Sequence, residues 1–199
     1  AYSALFYMVL SLATGIVFFT VTVTGIGLSL GFSILIIGIP FVILFFGLVR
    51  VLALVEGRIV ETLLGARMPR RPLYSTRGQP LLQRVGAMFR DPRTWSTLLY
   101  LVLQLPLGIA YFTLAVTGLS LALSFALSPI AYLLIEAGTL GIESTDVNWG
   151  VPWLPPIVSV PLCFVLGIVL LFAMLHLARG IAILHGAIAR QLLVKSAQH

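Results

Sequence analysis

Three long stretches of this chain, 1–49, 94–135 and 147–178, contain no aspartate, glutamate, lysine or arginine. The charges lie between them and are sorted by sign. Nine arginines fall within 50–93, Arg179, Arg190 and Lys195 follow the last stretch, and 136–146 holds three acids and no base. An apolar run of about 20 residues can cross the roughly 30 Å hydrocarbon layer as a helix. Only a helix or a closed barrel satisfies its own backbone there. These stretches together supply about four crossings. The expected fold is therefore all-α, a single polytopic membrane domain over 1–199. Composition agrees, since only 9% of the residues are charged, against about 25% in soluble domains.

The charge pattern also predicts an orientation. Positive residues beside membrane spans mark the cytoplasmic side. Both basic segments then face the cytoplasm and the acidic one faces outward. The predicted spans are 4–24, 31–52, 95–117 and 157–178, with both termini inside. Residues 118–136 are left over. They read as an interfacial or re-entrant segment on the outer side, with a fifth span as the alternative. The opening stretch is too long for the roughly 7–15-residue core of a cleavable signal. The chain begins at Ala1 rather than Met, which leaves an upstream segment open.

Net charge is +6, yet no nucleic-acid module accompanies it. Arg50, Arg67, Arg70, Arg71, Arg84 and Arg90 are expected to meet anionic lipid headgroups or a protein partner. Trp95 joins them at the headgroup level. Asp91-Pro92 offers an N-cap acid and a proline at the first helical position for the third span. Upstream, Leu81, Leu82, Val85, Met88 and Phe89 share one helical face, which predicts a short helix on the inner membrane surface. Residues 67–80 read as a loop. The basic loop and interfacial helix together occupy 66–93.

The chain also repeats itself. Tyr7, Gly15, Thr20, Thr24 and Gly25 match Tyr100, Gly108, Thr113, Thr117 and Gly118 at an offset of 93. Arg50, Ala53, Gly57, Ile59, Leu63 and Leu64 match Arg179, Ala182, Gly186, Ile188, Leu192 and Leu193 at an offset of 129. The two units, 4–65 and 94–195, read as parallel helical hairpins, each ending in a cytoplasmic amphipathic tail. The second carries an outer insertion at about 121–156.

Gly27 and Gly31 have the small-residue spacing that lets membrane helices approach closely. Thr20, Thr24, Thr113 and Thr117 are expected to pack between helices, with a polar ligand track as the alternative. Pro40, Pro106 and Pro129 are expected to kink or break helices. Glu56, Arg58 and Glu61 read as a surface helix face with local ion pairing. His176 and His185 lack neighbours for a metal motif, and Cys163 reads as a small apolar residue. No nucleophile elbow, phosphate loop or metalloprotease motif is present. The expectation is a non-enzyme with no cofactor and no metal. Ligand candidates are Glu136, Glu143, Asp146, Trp149 and Trp153, all near the outer insertion.

The run Arg90-Asp91-Pro92-Arg93-Thr94-Trp95, followed by Leu105-Pro106-Leu107-Gly108, resembles the bacterial "putative sensor" domain family. Glu56-Gly57-Arg58 and Leu63-Leu64-Gly65 are similar to that family's motif after its second span. Members occur ahead of membrane histidine kinases and as stand-alone membrane proteins. The resemblance implies a four-span sensory module in the bacterial inner membrane, signalling to a kinase or another partner. It transfers no ligand-binding residue. The functional expectation is thus a non-catalytic sensory or regulatory module carrying an envelope or lipid signal to a cytoplasmic partner. The alternatives are an accessory subunit of a larger membrane complex and a small transporter or channel component. Absence of charge in the middle of the predicted spans counts against the last.

Overall fold

The computed structural model describes residues 1–32, 38–66, 86–87, 89–139, 141 and 154–193. Five helices account for most of them: α1 (Tyr2–Phe32), α2 (Gly38–Leu64), α3 (Pro92–Ala126), α4 (Ser128–Glu136) and α5 (Pro156–Leu193). No strand occurs among the described residues. α1, α2, α3 and α5 are long and apolar enough to cross a membrane. The chain is an all-helical, multi-pass membrane protein.

These helices outrun the predicted spans. α2 and α5 continue unbroken through the segments expected to be separate tails. The reason is that their buried stripes do not stop at the arginines. On α2, Val42, Phe45, Val49, Ala53, Glu56 and Val60 are all buried. This is the three-to-four-residue spacing of one helical face. α2 ends only where Gly65 takes a φ of 69°, the left-handed conformation that closes many helices. α1 likewise runs through Gly25, Gly27 and Gly31 without a break.

Prolines act according to position. Pro40 lies in the first turn of α2, where its missing N–H leaves no bond unmade. Pro106 sits inside an unbroken α3. Pro129 coincides with the step from α3 to α4, where Leu127 bonds back to Leu123 and Ala131 to Leu127. Residues 118–126 therefore extend α3, and only 128–136 form a separate helix. α4 ends in a paired cap. The Gly138 N–H reaches the Ile135 carbonyl and the Thr139 N–H reaches that of Leu134, with Gly138 at φ 69°.

At the start of α3, Asp91 Oδ1 accepts from the Arg93 N–H at 3.0 Å, the N-cap bond expected there. Trp95 Nε1 donates to the Phe89 carbonyl at 2.9 Å, and Phe89 meets the ring of Phe46 edge-on. Leu81, Leu82, Val85, Met88 and the loop 67–80 lie outside the described residues.

The chain divides into two compact units. One comprises 2–112 and 179–199, and the other comprises residue 1 with 113–178. The first unit holds the main apolar core, including Phe18, Phe45, Phe46, Val49, Val60, Leu98, Leu101 and Ala189. In the second unit α3 and α5 approach so closely that a Cβ on Gly167 would collide with the Ala126 backbone.

Candidate functional site

The first unit brings together five polar side chains that sequence reading left apart. Tyr7 comes from α1, Glu56 from α2, Tyr100 and Gln104 from α3, and His185 from α5. Four of them are 0% exposed and Tyr7 is 1% exposed. Tyr111, also from α3, closes the far side of the imidazole.

α1 and α3 meet at small residues, which allows this convergence. A Cβ on Gly15 would lie 2.7 Å from the Gln104 carbonyl oxygen. Reciprocally, a Cβ on Gly108 would run into the carbonyl oxygen of Ser11. Ser11 turns its hydroxyl back to the Met8 carbonyl at 2.7 Å, so it makes no polar demand on the contact. Backbones this close carry Tyr7 and Tyr100, one turn away on each helix, toward a common centre.

That centre is Glu56 Oε1. Tyr7 Oη lies 2.8 Å from it, Tyr100 Oη 3.2 Å and Gln104 Nε2 3.0 Å. His185 Nε2 is 3.9 Å away. The same imidazole nitrogen is 2.6 Å from Tyr7 Oη and 3.0 Å from Tyr100 Oη. Each phenol therefore bridges acid and base, but each has a single proton to give. Gln104 Nε2 also reaches Tyr7 Oη at 3.2 Å, and His185 Nδ1 lies 3.3 Å from Tyr111 Oη. Three tyrosine rings surround the imidazole, with centroids 5.0, 6.0 and 5.5 Å away.

Two atoms of this cluster have no partner. Glu56 Oε2 and Gln104 Oε1 are buried and unbonded among the described residues. Both are acceptors. Turning the Gln104 amide over would set its oxygen against the carboxylate, so its placement follows from the network. An unmet buried acceptor costs about 1–3 kcal/mol, and more where charge is involved. A buried carboxylate is tolerated only with a partner, and His185 is the base facing it here.

The reading of Glu56 as a surface residue is therefore corrected. Its neighbours Arg58 and Glu61 do form the expected exposed pair, at 3.4 Å, but Glu56 occupies the opposite face of the same helix. His185, read as lacking neighbours for a metal motif, has one acidic neighbour through space, Glu56. The helical spacing Val49, Ala53, Glu56, Val60 was the available signal, as was Ile181, His185, Ala189, Leu193 on α5. A charged residue on an otherwise apolar stripe is either buried or disruptive.

The packing candidates fare differently. Among the described residues, a Cβ on Gly27 or Gly31 would meet nothing within 4 Å. Thr20, Thr24, Thr113 and Thr117 are exposed rather than packed between helices. The close approaches use Gly15 and Gly108 instead. Of the ligand candidates, Glu136 is exposed at the end of α4. Glu143, Asp146, Trp149 and Trp153 lie outside the described residues. Arg50, Arg90 and Trp95 are exposed, while Arg67, Arg70, Arg71 and Arg84 lie outside the described set. His176 is exposed and bonds the Phe172 carbonyl of its own helix through Nδ1 at 2.8 Å. Cys163 is buried. Among the described residues no group of three His, Cys, Asp or Glu side chains could hold a metal ion.

Four apolar spans define a helical membrane domain, and one of its units encloses a buried acid–base cluster within an apolar core. The chain matches the family described as "Putative sensor" over residues 7–193 and belongs to that family. Among curated proteins and among solved structures nothing matches it.

Proposed function

We propose that this membrane sensory module works without catalysis and passes an envelope or lipid signal to a cytoplasmic partner. The observation that carries this reading is the convergence of α1, α2, α3 and α5 on one buried hydrogen-bonded cluster. Bonds of 2.6–3.2 Å do not stretch gradually. A helix shift of 1 Å breaks them, so the cluster favours discrete arrangements over continuous deformation. A stimulus acts only through its differential affinity for such arrangements.

Glu56 and His185 each follow an exposed arginine, Arg50 and Arg179, by six residues, about 9 Å along a helix. If the arginines mark the cytoplasmic boundary of the inner membrane, the cluster lies toward the cytoplasm. It then sits between the spans and the helix ends that a kinase or another membrane protein would touch. Both termini are cytoplasmic in this arrangement, and the arginines rest on anionic lipid.

The test uses the full chain in lipid nanodiscs, spin-labelled at Arg58→Cys and Arg190→Cys, two exposed positions on α2 and α5. The expected result is a change in the label-to-label distance distribution as anionic lipid or amphiphile content is varied. One unchanging distribution under every lipid composition, with stoichiometric recovery in a single large membrane complex, would favour the accessory-subunit reading instead.

A further inference from the structure

We infer that the cluster is a binding site for one proton, held on Glu56 and read out by Gln104 and His185. The inference rests on the sensory reading and names its ligand. Its basis is the count of donors and acceptors. Around Glu56 Oε1 there are three donors, Tyr7, Tyr100 and Gln104. Around Glu56 Oε2 there is none, and Gln104 Oε1 is equally bare. The site has one donor too few for its acceptors, and both unmet acceptors belong to residues already bonded to each other.

One proton repairs this. On Oε2 it turns a bare acceptor into a donor, and Gln104 Oε1 is the unsatisfied acceptor of the same cluster. The step is simple in its balance: a solvent proton and the Glu56 carboxylate give the neutral acid, with no other bond made or broken. The remaining groups facing Glu56 are Tyr7 from α1, Tyr100 from α3 and His185 from α5. Tyr111 bonds the other nitrogen of His185. Tyr7 lies within hydrogen-bonding distance of both Glu56 and His185. It therefore offers the path by which a proton on one can be exchanged for a proton on the other.

The sign follows from the bonds. Protonation removes the bare carboxylate oxygen from the buried cluster and so favours the arrangement that holds α1, α2, α3 and α5 together. Deprotonation strands Oε2 and loosens the ends of α2 and α5. Acid therefore favours the tight arrangement, and that advantage is lost as pH rises.

The experiment is pH-difference infrared spectroscopy of the full chain in nanodiscs, paired with hydrogen exchange on 53–64 and 179–193. The expected spectrum contains a protonated-carboxyl carbonyl band that disappears in Glu56→Gln and survives in Glu61→Gln. Protection of both helix ends, after division by the intrinsic base-catalysed exchange rate, should fall with pH in the parent chain and stay flat in Glu56→Gln, whose amide imitates the neutral acid. A missing band, or one indifferent to Glu56→Gln, overturns the proton site and leaves the bare oxygens to a buried water. A transition that follows sodium at fixed pH overturns it in favour of a metal cation. Should Glu56→Gln fail to fold, Glu56→Asp serves, because the band must then move rather than vanish. The two readings fail separately. A lipid response of the labelled helix ends without the carboxyl band keeps the sensor and removes the proton. The band without any movement of the helix ends keeps the proton and removes its use in signalling.

Discussion

Within each of the two compact units, different physics holds the helices. In the unit comprising 2–112 and 179–199, helices are tied by a directional cluster on Glu56 and His185 inside an aromatic and aliphatic core. In the unit built on 113–178, the described contacts are mostly apolar and made by small residues. Ala115 and Ala122 are fully buried, Gly118 faces Met174, and Gly167 meets the backbone at Ala126. Ser128 Oγ adds a polar contact there, to the Val160 carbonyl at 3.3 Å. Lipid is as apolar as leucine, so close backbone approach and interhelical hydrogen bonds are the two available forces. One unit relies mainly on the first and the other adds the second. Apolar packing carries no directional bond, whereas an acid and a base bridged by two phenol hydroxyls restrict the helices to few arrangements.

The largest break in this contrast should come from His185→Leu. Where Glu56 is ionised, it leaves that carboxylate buried without its base, and the expected loss under those conditions is about 3–5 kcal/mol, read by detergent-induced unfolding of the full chain at alkaline pH. Combining it with Glu56→Leu should recover much of that loss, because removing both members of a buried pair often costs little. Additive losses in that cycle would mean the pair is not coupled. Next comes the other unit. Gly167→Ala drives a methyl into the Ala126 backbone, with an expected cost of about 1–3 kcal/mol in the same assay. Hydrogen exchange should locate the damage in 113–136 and 156–178.

Tyr111→Phe is a finer probe. It removes the 3.3 Å partner of His185 Nδ1 while keeping the ring, and should cost about 1 kcal/mol. The smallest effect belongs to Gly27→Ala and Gly31→Ala. With open space at both positions, alanine's helix preference of about 1 kcal/mol should leave stability unchanged or slightly higher. A loss beyond that would restore these glycines to a packing role.

How far the sequence could be read depended on which force set each feature. The spans were legible because desolvation acts on runs of residues and needs no partner. The Asp91 cap was legible because it is local. Helix ends were less so. α2 and α5 continue past Arg50 and Arg179 because exposed arginines can share a helix with a buried stripe, and a run-based reading stops at the first charge. Glu56 was misread for the same reason. Its pairing partners are 49 residues away at Tyr7 and 44 at Tyr100, and no spacing rule spans such a gap. The internal matches set Tyr7 against Tyr100 and Glu56 against His185, but alignment of two positions does not say that they touch.

By itself, the sequence determined that this chain lives in a membrane, crosses it as helices and belongs among sensor-like domains. The first two outcomes follow from the sum of many small transfer energies, each belonging to a single residue; the resemblance rests on the motifs at 90–95 and 105–108. Which residues share a centre was decided only by tertiary structure. The reciprocal seating of Gly15 on the Gln104 backbone and Gly108 on that of Ser11 brings α1 and α3 together. Only then do an acid and a base from α2 and α5 find phenols between them. Hydrogen bonds act over about 3 Å, so their existence depends on backbone positions that no single residue controls.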